Sequence, residues 1–229
     1  MNNKLLIVNN IEKVIRGDYT DFLYPNELNL VISNLNKQHI KYNIFKPFND
    51  SEKNIIYKDN YPKVSLIEII SDNKINHKDI LGSLFSHNIN INKYGDIIIT
   101  DKYYLIILDI IKPYILSNLN KIGNNFVKLK EVDINLISNY KYEYEEKQIL
   151  VSSLRLDNIV SSLTNTSRNN VDLMFKEKYV YVNYINNKKT YIVKENDIIG
   201  IRKNGKYKFI NVLKITNKNK YIIKLLKYK

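Results

Sequence analysis

Cysteine and tryptophan are both absent from this 229-residue chain. Without cysteine the chain cannot form a disulfide, a thiolate nucleophile or a cysteine-ligated metal site. The absence of disulfides fits a reducing compartment, so we expect a cytoplasmic protein.

Glycine and histidine are scarce, with six and three residues respectively. The glycines form no phosphate-cradling loop, and His39, His77 and His87 lack metal-ligand spacing. Asp79 and Asp96 imitate a pair of catalytic carboxylates, but a position near a helix start and a Gly-Asp turn explain them equally well. The sequence therefore predicts a protein that is not an enzyme and that holds no cofactor or metal.

Long hydrophobic runs are also missing. The first ten residues, "MNNKLLIVNN", contain only four consecutive apolar residues, which is too short for a secretory signal. The longest apolar stretch, "YYLIILDII", is interrupted by Asp109 and is far shorter than the ~20 residues that span a bilayer. We expect no membrane association.

Positive charge is abundant and is unevenly distributed. The net charge is +13. Residues 151–229 contain 17 Lys and Arg and 5 Asp and Glu, so they carry +12, whereas residues 1–150 carry only +1. A concentration of positive charge in one segment predicts a polyanionic partner such as nucleic acid.

The pattern of apolar residues predicts an α+β protein. Residues 1–62 show two helical stretches and short strand-like pieces, an N-terminal α/β subdomain. Residues 63–137 follow the order βαββαβ, a ferredoxin-like order shared with RNA-recognition motifs, in which the second helix ends at Gly123. This order does not by itself imply RNA binding, and the base-stacking aromatic signature of those motifs is missing.

A polar, acidic stretch over 138–149 is predicted to be a linker to the last domain, 150–229. Leu156, Ile159, Val160 and Leu163 share one helical face, and Ser167 can cap a second helix. A small basic β-sheet follows, with a tight hairpin predicted at Asn204-Gly205.

Each of these two helices begins with an arginine, Arg155 or Arg168. A cation at a helix start opposes the backbone dipole, whereas the free N–H groups there bind phosphate. The arginines are therefore interpreted as phosphate ligands, with one alternative left open: Arg155 pairs with Asp157 and Arg168 is only solvated.

The stretch "RLDNIVSSLTNTSRNNVDLMFKEKYVYVN" resembles the RNA-binding domain named after small-subunit ribosomal protein S-four, also called the αL motif. The similarity covers about 150–229 and includes Asn183 and the step Asn196-Asp197. Lys178 and Asn196 stand where that family usually has glycine. The resemblance implies an S-four-like ααβ domain with a small β-sheet.

Further upstream, "NHKDILGSLFSHNININKYGDIII" and "FLYPNEL" are similar to the YlmH family, bacterial proteins that carry this domain at the C-terminus. The resemblance implies a non-catalytic factor of ribosome-associated quality control. Such a factor binds large-subunit ribosomal RNA and peptidyl-tRNA on stalled, split ribosomes. We expect it to act as a monomer.

The predicted RNA-binding residues form one continuous surface that runs from the helix starts along the strands and turns. They are Arg155, Ser167, Arg168, Asn169, Lys176, Lys178, Lys188, Lys189, Arg202, Lys203, Lys206 and Lys208. Two other readings remain open: a protein-docking adaptor or assembly factor localised to ribosomal RNA by its basic domain, and an RNA-modification enzyme.

Overall fold

A computed structural model of the chain describes residues 3–229. Helices and antiparallel sheets occur together, which confirms the α+β class. The chain divides between Lys141 and Tyr142 into two compact units. Among the described residues, no helix is both long enough and apolar enough to cross a membrane.

The first unit begins with two helices and a small sheet. The helices share a buried core that includes Val14, Val31 and Leu35. Their bounds, with those of the two strands, are α1 Asn3–Ile15, α2 Pro25–Lys37, β1 Asn43–Phe45 and β2 Ile55–Tyr57.

The remainder of the first unit is a four-stranded antiparallel sheet with helices packed on it. In chain order its elements are β3 Val64–Ile70, α3 His77–Ser86, β4 Tyr94–Ile99, β5 Tyr103–Leu108, α4 Lys112–Asn118 and β8 Lys128–Val132. The spatial order β4-β5-β3-β8 leaves β3 and β4 parallel but separated by β5. The predicted βαββαβ order is therefore confirmed.

The predicted N-terminal subdomain and central domain are one compact unit in the structure. The backbone N–H of Phe22 donates to the carbonyl of Asn92 at 2.9 Å. The buried Lys53 ammonium donates to the carbonyls of Ile91 and Tyr94 at 2.8 and 2.9 Å. These bonds satisfy polar groups inside the unit and tie residues 1–62 to the central sheet.

The helix predicted to run to Gly123 is shorter than expected. It ends at Asn118, and a two-stranded hairpin of β6 Lys121–Ile122 and β7 Asn125–Phe126 follows. Gly123 has a φ of 58° and lies in the turn of that hairpin. Glycine with a left-handed backbone is common both in hairpin turns and directly after helices. Gly123 was therefore taken for the end of the helix.

The second unit has two helices on one face of a five-stranded sheet. Its elements are β9 Tyr144–Val151, α5 Leu156–Thr164, α6 Arg168–Lys176, β10 Val180–Val182, β11 Ile198–Ile201, β12 Gly205–Ile215 and β13 Tyr221–Tyr228. The strand order is β10-β11-β12-β13-β9. The predicted apolar face of α5 packs on this sheet, with Leu156, Ile159 and Val160 fully buried.

The prediction of a linker over 138–149 is wrong for the second half of that range. Residues from Tyr144 onward form β9, which pairs with β13 along its whole length from Val151↔Tyr221 to Tyr144↔Tyr228. The acidic residues of this edge strand suit its exposed position, and the Glu146 carboxylate pairs with the Lys224 ammonium at 2.6 Å. Including β9, the second unit carries 18 Lys and Arg and 8 Asp and Glu, a net +10.

Lys178 and Asn196 have left-handed backbones, with φ of 55° and 69°. Lys178 follows α6 in a Schellman motif: its N–H donates to Phe175 O at 3.1 Å, and the N–H of Tyr179 donates to Met174 O at 2.9 Å. The two positions where the S-four-like family usually has glycine thus keep the backbone that glycine favours.

We expect Lys178→Gly to stabilise the second unit by about 0.5–1 kcal/mol, because glycine removes the strain of a side chain in the left-handed region. Lys178→Ala is the matched control, since it removes the same charge but keeps the strain. Hydrogen exchange of the β12 and β13 amides reports the stability of this unit. Equal protection in both variants would show that backbone strain is not the cause.

Candidate nucleic-acid interface

The start of α5 is closed by backbone from another part of the chain. The N–H of Leu156 donates to Tyr191 O at 2.8 Å, and the N–H of Asp157 donates to Lys189 O at 3.1 Å. The N–H of Asn158 donates to the Asp157 carboxylate at 2.9 Å. The expectation that free N–H groups at this helix start bind phosphate is therefore wrong for α5.

A buried carboxylate holds in place residues 189–193, which cross the start of α5 and which we call the crossing segment. Asp197, only 7% exposed, accepts hydrogen bonds from the Tyr191 hydroxyl at 2.9 Å, the Asn183 amide at 2.7 Å and the Lys194 N–H at 2.8 Å. Because Tyr191 also caps Leu156, this carboxylate indirectly fixes the start of α5. Asn183 has a structural role here.

Arg155 is the N-cap residue of α5 and pairs with Asp157. Its Nε and Nη2 donate to the two carboxylate oxygens at 3.1 and 2.6 Å, a bidentate pair. Burial raises the pKa of Asp157, but the hydrogen bonds and charge of Arg155 outweigh this effect, so the pKa lies below its usual value. The alternative in which Arg155 pairs with Asp157 is therefore the observed arrangement, although 41% of the Arg155 side chain remains exposed.

Arg168 stands at the first position of α6 in a different environment. The Ser167 hydroxyl caps this helix by accepting from the Asn170 N–H at 3.5 Å. Asp172 lies one helical turn beyond Arg168, but its carboxylate binds the Lys189 ammonium at 2.7 Å. Within residues 3–229, no carboxylate lies within ion-pair distance of the exposed Arg168 guanidinium.

The two arginines line the same pocket, which has a volume of about 430 Å³. Its walls come from the starts of both helices and from the crossing segment, and they include Ser152, Arg155, Asn158, Arg168, Asp172 and Lys189. Three cations and two carboxylates, Asp157 and Asp172, give the pocket a net +1. Since both carboxylates are paired with other cations, Arg168 supplies the charge available to an anion.

The remaining predicted residues lie in several places. Asn169 is exposed beside Arg168, Lys188 precedes the crossing segment, and Lys176 and Lys178 lie at the far end of α6. The register pairs Gly200 with Lys206 and Ile198 with Lys208, and paired residues share a face of the sheet. Alternation along the strands therefore turns Lys206, Lys208 and Arg202 away from the helices, whereas Lys203 lies in the hairpin turn. The expectation of one continuous surface is therefore wrong: the basic residues lie on two faces of the sheet.

Sequence reasoning missed the residues that organise the pocket. Asp172 and Tyr191 were not singled out, and Asp197 was noted only as part of the step Asn196-Asp197 in the resemblance to the S-four-like domain. A local signal existed for Asp172, because its i, i+4 spacing from Arg168 predicts a neighbour on the same helix face. Tyr191 contacts Leu156 and Asp197 contacts Asn183, residues that are distant in the sequence. No spacing of residue types along the chain predicts such contacts.

The carboxylates Asp79 and Asp96 and the imidazole of His87 have structural contacts in the first unit. Asp79 is in the first turn of α3 and accepts from the Asn76 N–H at 3.1 Å. Burial raises the pKa of Asp96 to about 7, and this carboxylate accepts from the Glu52 N–H at 2.9 Å. The Nδ1 of His87 contacts the Tyr114 hydroxyl at 3.2 Å. Over residues 3–229, no three His, Asp or Glu side chains form a cluster that could hold a metal.

Fold and site together describe a two-unit α+β protein with a ferredoxin-like central sheet and a basic pocket at the helix starts of the second unit. Residues 58–136 match the family model described as "Putative RNA-binding domain in YlmH". A relative from Bacillus subtilis (strain 168), "Ribosome-associated protein quality control protein P2", is 28% identical over 149 residues. That match covers 64% of this chain and 58% of the relative. The resemblance to the YlmH family is thereby confirmed.

A solved structure shares the fold. It is titled "Cell division protein ylmH from Streptococcus pneumoniae", with a TM-score of 0.50 and 19% sequence identity. The similarity covers 61% of this chain and 96% of that one.

Replacing Asp157 by asparagine tests the ion pair at the start of α5. Because the native pKa of Asp157 is depressed, its stabilising effect is complete above the ordinary carboxyl pKa of ~3.9 and is lost as pH falls through the native value. We expect Asp157→Asn to lower the free energy of unfolding at pH 7, with the difference from the parent chain shrinking as pH approaches 2. Urea unfolding measured from pH 7 to pH 2 checks this. A difference independent of pH would contradict an ionic role.

Proposed function

We propose that this protein is a non-catalytic RNA-binding factor. In this proposal the second unit is an S-four-like domain that binds RNA phosphates at the pocket between α5 and α6. The observation that carries the proposal is the placement of Arg155, Arg168 and Lys189 around one pocket with Arg168 unneutralised. A guanidinium in such a position matches the oxygens of a phosphate group.

The biological setting is proposed from the comparisons. The name of the Bacillus subtilis relative refers to ribosome-associated quality control, and the central domain matches an RNA-binding domain. We therefore propose large-subunit ribosomal RNA and peptidyl-tRNA as partners, and rescue of stalled ribosomes in the cytoplasm as the process. The net charge of +10 on the second unit supports a polyanionic partner.

An enzymatic role is the weaker alternative. The carboxylates in the pocket, Asp157 and Asp172, are each held by a cation. Asp96, whose pKa burial raises to about 7, accepts hydrogen bonds from the backbone N–H groups of Glu52 and Lys53. Each of these carboxylates thus has a structural partner, which favours a binding role over a catalytic one.

Reversing the charge of Arg168 tests the pocket directly. We expect Arg168→Glu to weaken binding of RNA or of large ribosomal subunits by at least about tenfold without unfolding the protein. Arg16→Glu is the matched control, because it makes the same charge change at a 79% exposed arginine in the first unit. Filter-binding titrations of both variants and the parent give the comparison. An equal loss of affinity in both variants would show that only net charge matters. Unchanged affinity in Arg168→Glu would show that the pocket is not part of the interface.

Salt dependence tests the proposed number of phosphate contacts. If about six phosphates are bound, the logarithm of the association constant falls with the logarithm of salt concentration at a slope of roughly −4 to −5. Arg168→Glu should make this slope less steep by about one contact, whereas Arg16→Glu should leave it unchanged. A slope near zero in the parent chain would contradict phosphate binding.

Nuclease treatment separates the RNA-binding proposal from the adaptor alternative. A protein held by RNA leaves ribosomal particles when their RNA is digested. An adaptor docked through residues 1–132 stays with the residual protein complexes. Sucrose-gradient sedimentation before and after digestion distinguishes the two, and retention after digestion would favour the adaptor.

A further inference from the structure

The first unit contains a pocket of about 730 Å³ at the C-terminal end of α3. Its volume is within the range of sites that hold a small molecule or the side chains of a partner. Helices α1 and α3 and the segment leading into β4 supply the apolar part of its wall, which includes Leu6, Leu81, Phe85, Ile89 and Ile91. We call this site the α3 pocket.

A buried carboxylate lines the α3 pocket. Glu27 lies in the first turn of α2 and is 9% exposed. Its Oε2 accepts from the Tyr24 N–H at 3.0 Å, a bond that caps the helix. Within residues 3–229, no ammonium or guanidinium lies within ion-pair distance of this carboxylate. Because burial removes the water that would otherwise stabilise the charge, the site favours a cationic partner.

A buried amide beside the α3 pocket also lacks a partner. Asn92, which lines the pocket, is 4% exposed, and its side-chain Nδ2 has no hydrogen-bond acceptor among residues 3–229. The backbone of Asn92 is fixed, because its N–H donates to the Asn90 Oδ1 at 3.1 Å and its carbonyl accepts from the Phe22 N–H at 2.9 Å. Buried amides in proteins are nearly always hydrogen-bonded, so this Nδ2 suits a ligand that supplies an acceptor.

Apolar surface continues from the α3 pocket to the outside of the unit. Leu81 and Phe85 are one helical turn apart and share a face of α3. Phe85 is 83% exposed, and Ile91 on the neighbouring segment is 46% exposed. Exposed apolar side chains grouped around a cavity are typical of protein-binding surfaces. This rim favours a peptide segment, because a small molecule inside the pocket would leave Phe85 uncovered.

The charge of the α3 pocket is opposite to that of the whole chain. The chain carries +13, whereas Glu27 is the one charged residue among the described residues that line the pocket. A phosphate group would be repelled by this carboxylate and would meet no cation on the wall. Charge complementarity therefore favours a basic, apolar partner over RNA at this site.

We propose that the α3 pocket docks a peptide segment of another protein in which a lysine or arginine stands next to large apolar residues. The cation pairs with the Glu27 carboxylate, a backbone carbonyl of the segment accepts from the Asn92 Nδ2, and apolar side chains cover Phe85. This site belongs to the first unit and does not depend on the RNA-binding function proposed for the second unit.

Selection from random peptides tests the site when the partner is unidentified. A phage-displayed library of short random peptides is selected on the immobilised full chain, with the Phe85→Ala variant in excess in solution to remove peptides that bind elsewhere. We expect the enriched sequences to combine a lysine or arginine with neighbouring large apolar residues. Enriched sequences without a basic residue, or no enrichment at all, would overturn the proposal.

Anisotropy titrations of the enriched peptides then compare variants of the full chain. We expect Phe85→Ala and Glu27→Gln each to weaken peptide binding at least about tenfold. Glutamine keeps the oxygen that caps α2, and Phe85 is too exposed to be needed for folding. Phe126→Ala is the matched control, because it makes the same change at a 79% exposed phenylalanine of the first unit that does not line the pocket. Equal affinity in Phe85→Ala and Phe126→Ala would overturn the proposal.

A neutral substitute for the basic residue of the peptide tests its pairing with Glu27. Citrulline replaces arginine, or acetyl-lysine replaces lysine. We expect the neutral peptide to bind the parent chain at least about tenfold more weakly and to lose no further affinity for Glu27→Gln, as a double-mutant cycle requires for a direct pair. An equal loss on both proteins would show that the cation does not pair with Glu27.

An RNA probe separates this proposal from the RNA-binding function. We expect Phe85→Ala and Glu27→Gln to bind oligouridine like the parent chain, whereas Arg168→Glu should bind the selected peptides like the parent chain. Weaker oligouridine binding in Phe85→Ala, with peptide binding unchanged, would assign the α3 pocket to RNA and overturn the docking proposal. Failure of peptide docking leaves the result for Arg168→Glu on RNA unaffected.

Discussion

The passage of residues 189–193 across the start of α5 is the constraint on which the second unit depends. The carbonyls of Tyr191 and Lys189 satisfy the first N–H groups of the helix, and Asp197 fixes Tyr191 from the other side. The same crossing brings the Lys189 ammonium to Asp172 and so leaves Arg168 without a carboxylate partner in the described part of the chain. Backbone capping and the proposed anion site thus follow from one arrangement of the chain.

Burial of one face of the sheet by α5 and α6 divides the basic residues into two groups. On the helix side, the pocket has a net charge of only +1, and among its cations Arg168 has no carboxylate partner in the described part of the chain. On the outer side, the strand alternation that buries Tyr207 and Phe209 turns Lys206 and Lys208 outward, and the Lys206 ammonium lies 4.8 Å from the centre of the Tyr228 ring. The basic residues of the second unit therefore lie in two places, around the helix-start pocket and on the outer face of the sheet.

The sequence predicted helices and strands correctly where apolar residues recur at regular spacing. The apolar face of α5 and the βαββαβ order of the central sheet were both visible in the sequence, because burial imposes a period on the residues. The strand β9 was missed because an edge strand rich in Glu and Lys has the composition of a linker. The sequence placed Arg155 and Arg168 on one surface, and they line one pocket, but the closure of the α5 N–H groups was not predicted. That closure joins residues more than 30 positions apart, and no local rule reports it.

Crosslinking of the protein to RNA in living cells tests most directly whether the second unit is the RNA-binding part. The bound RNA is sequenced, and the crosslinked peptides are identified in the same sample. We predict adducts from large-subunit ribosomal RNA and tRNA on peptides between Arg155 and Lys208. Adducts confined to residues 58–136, or a protein recovered without RNA, would contradict this assignment.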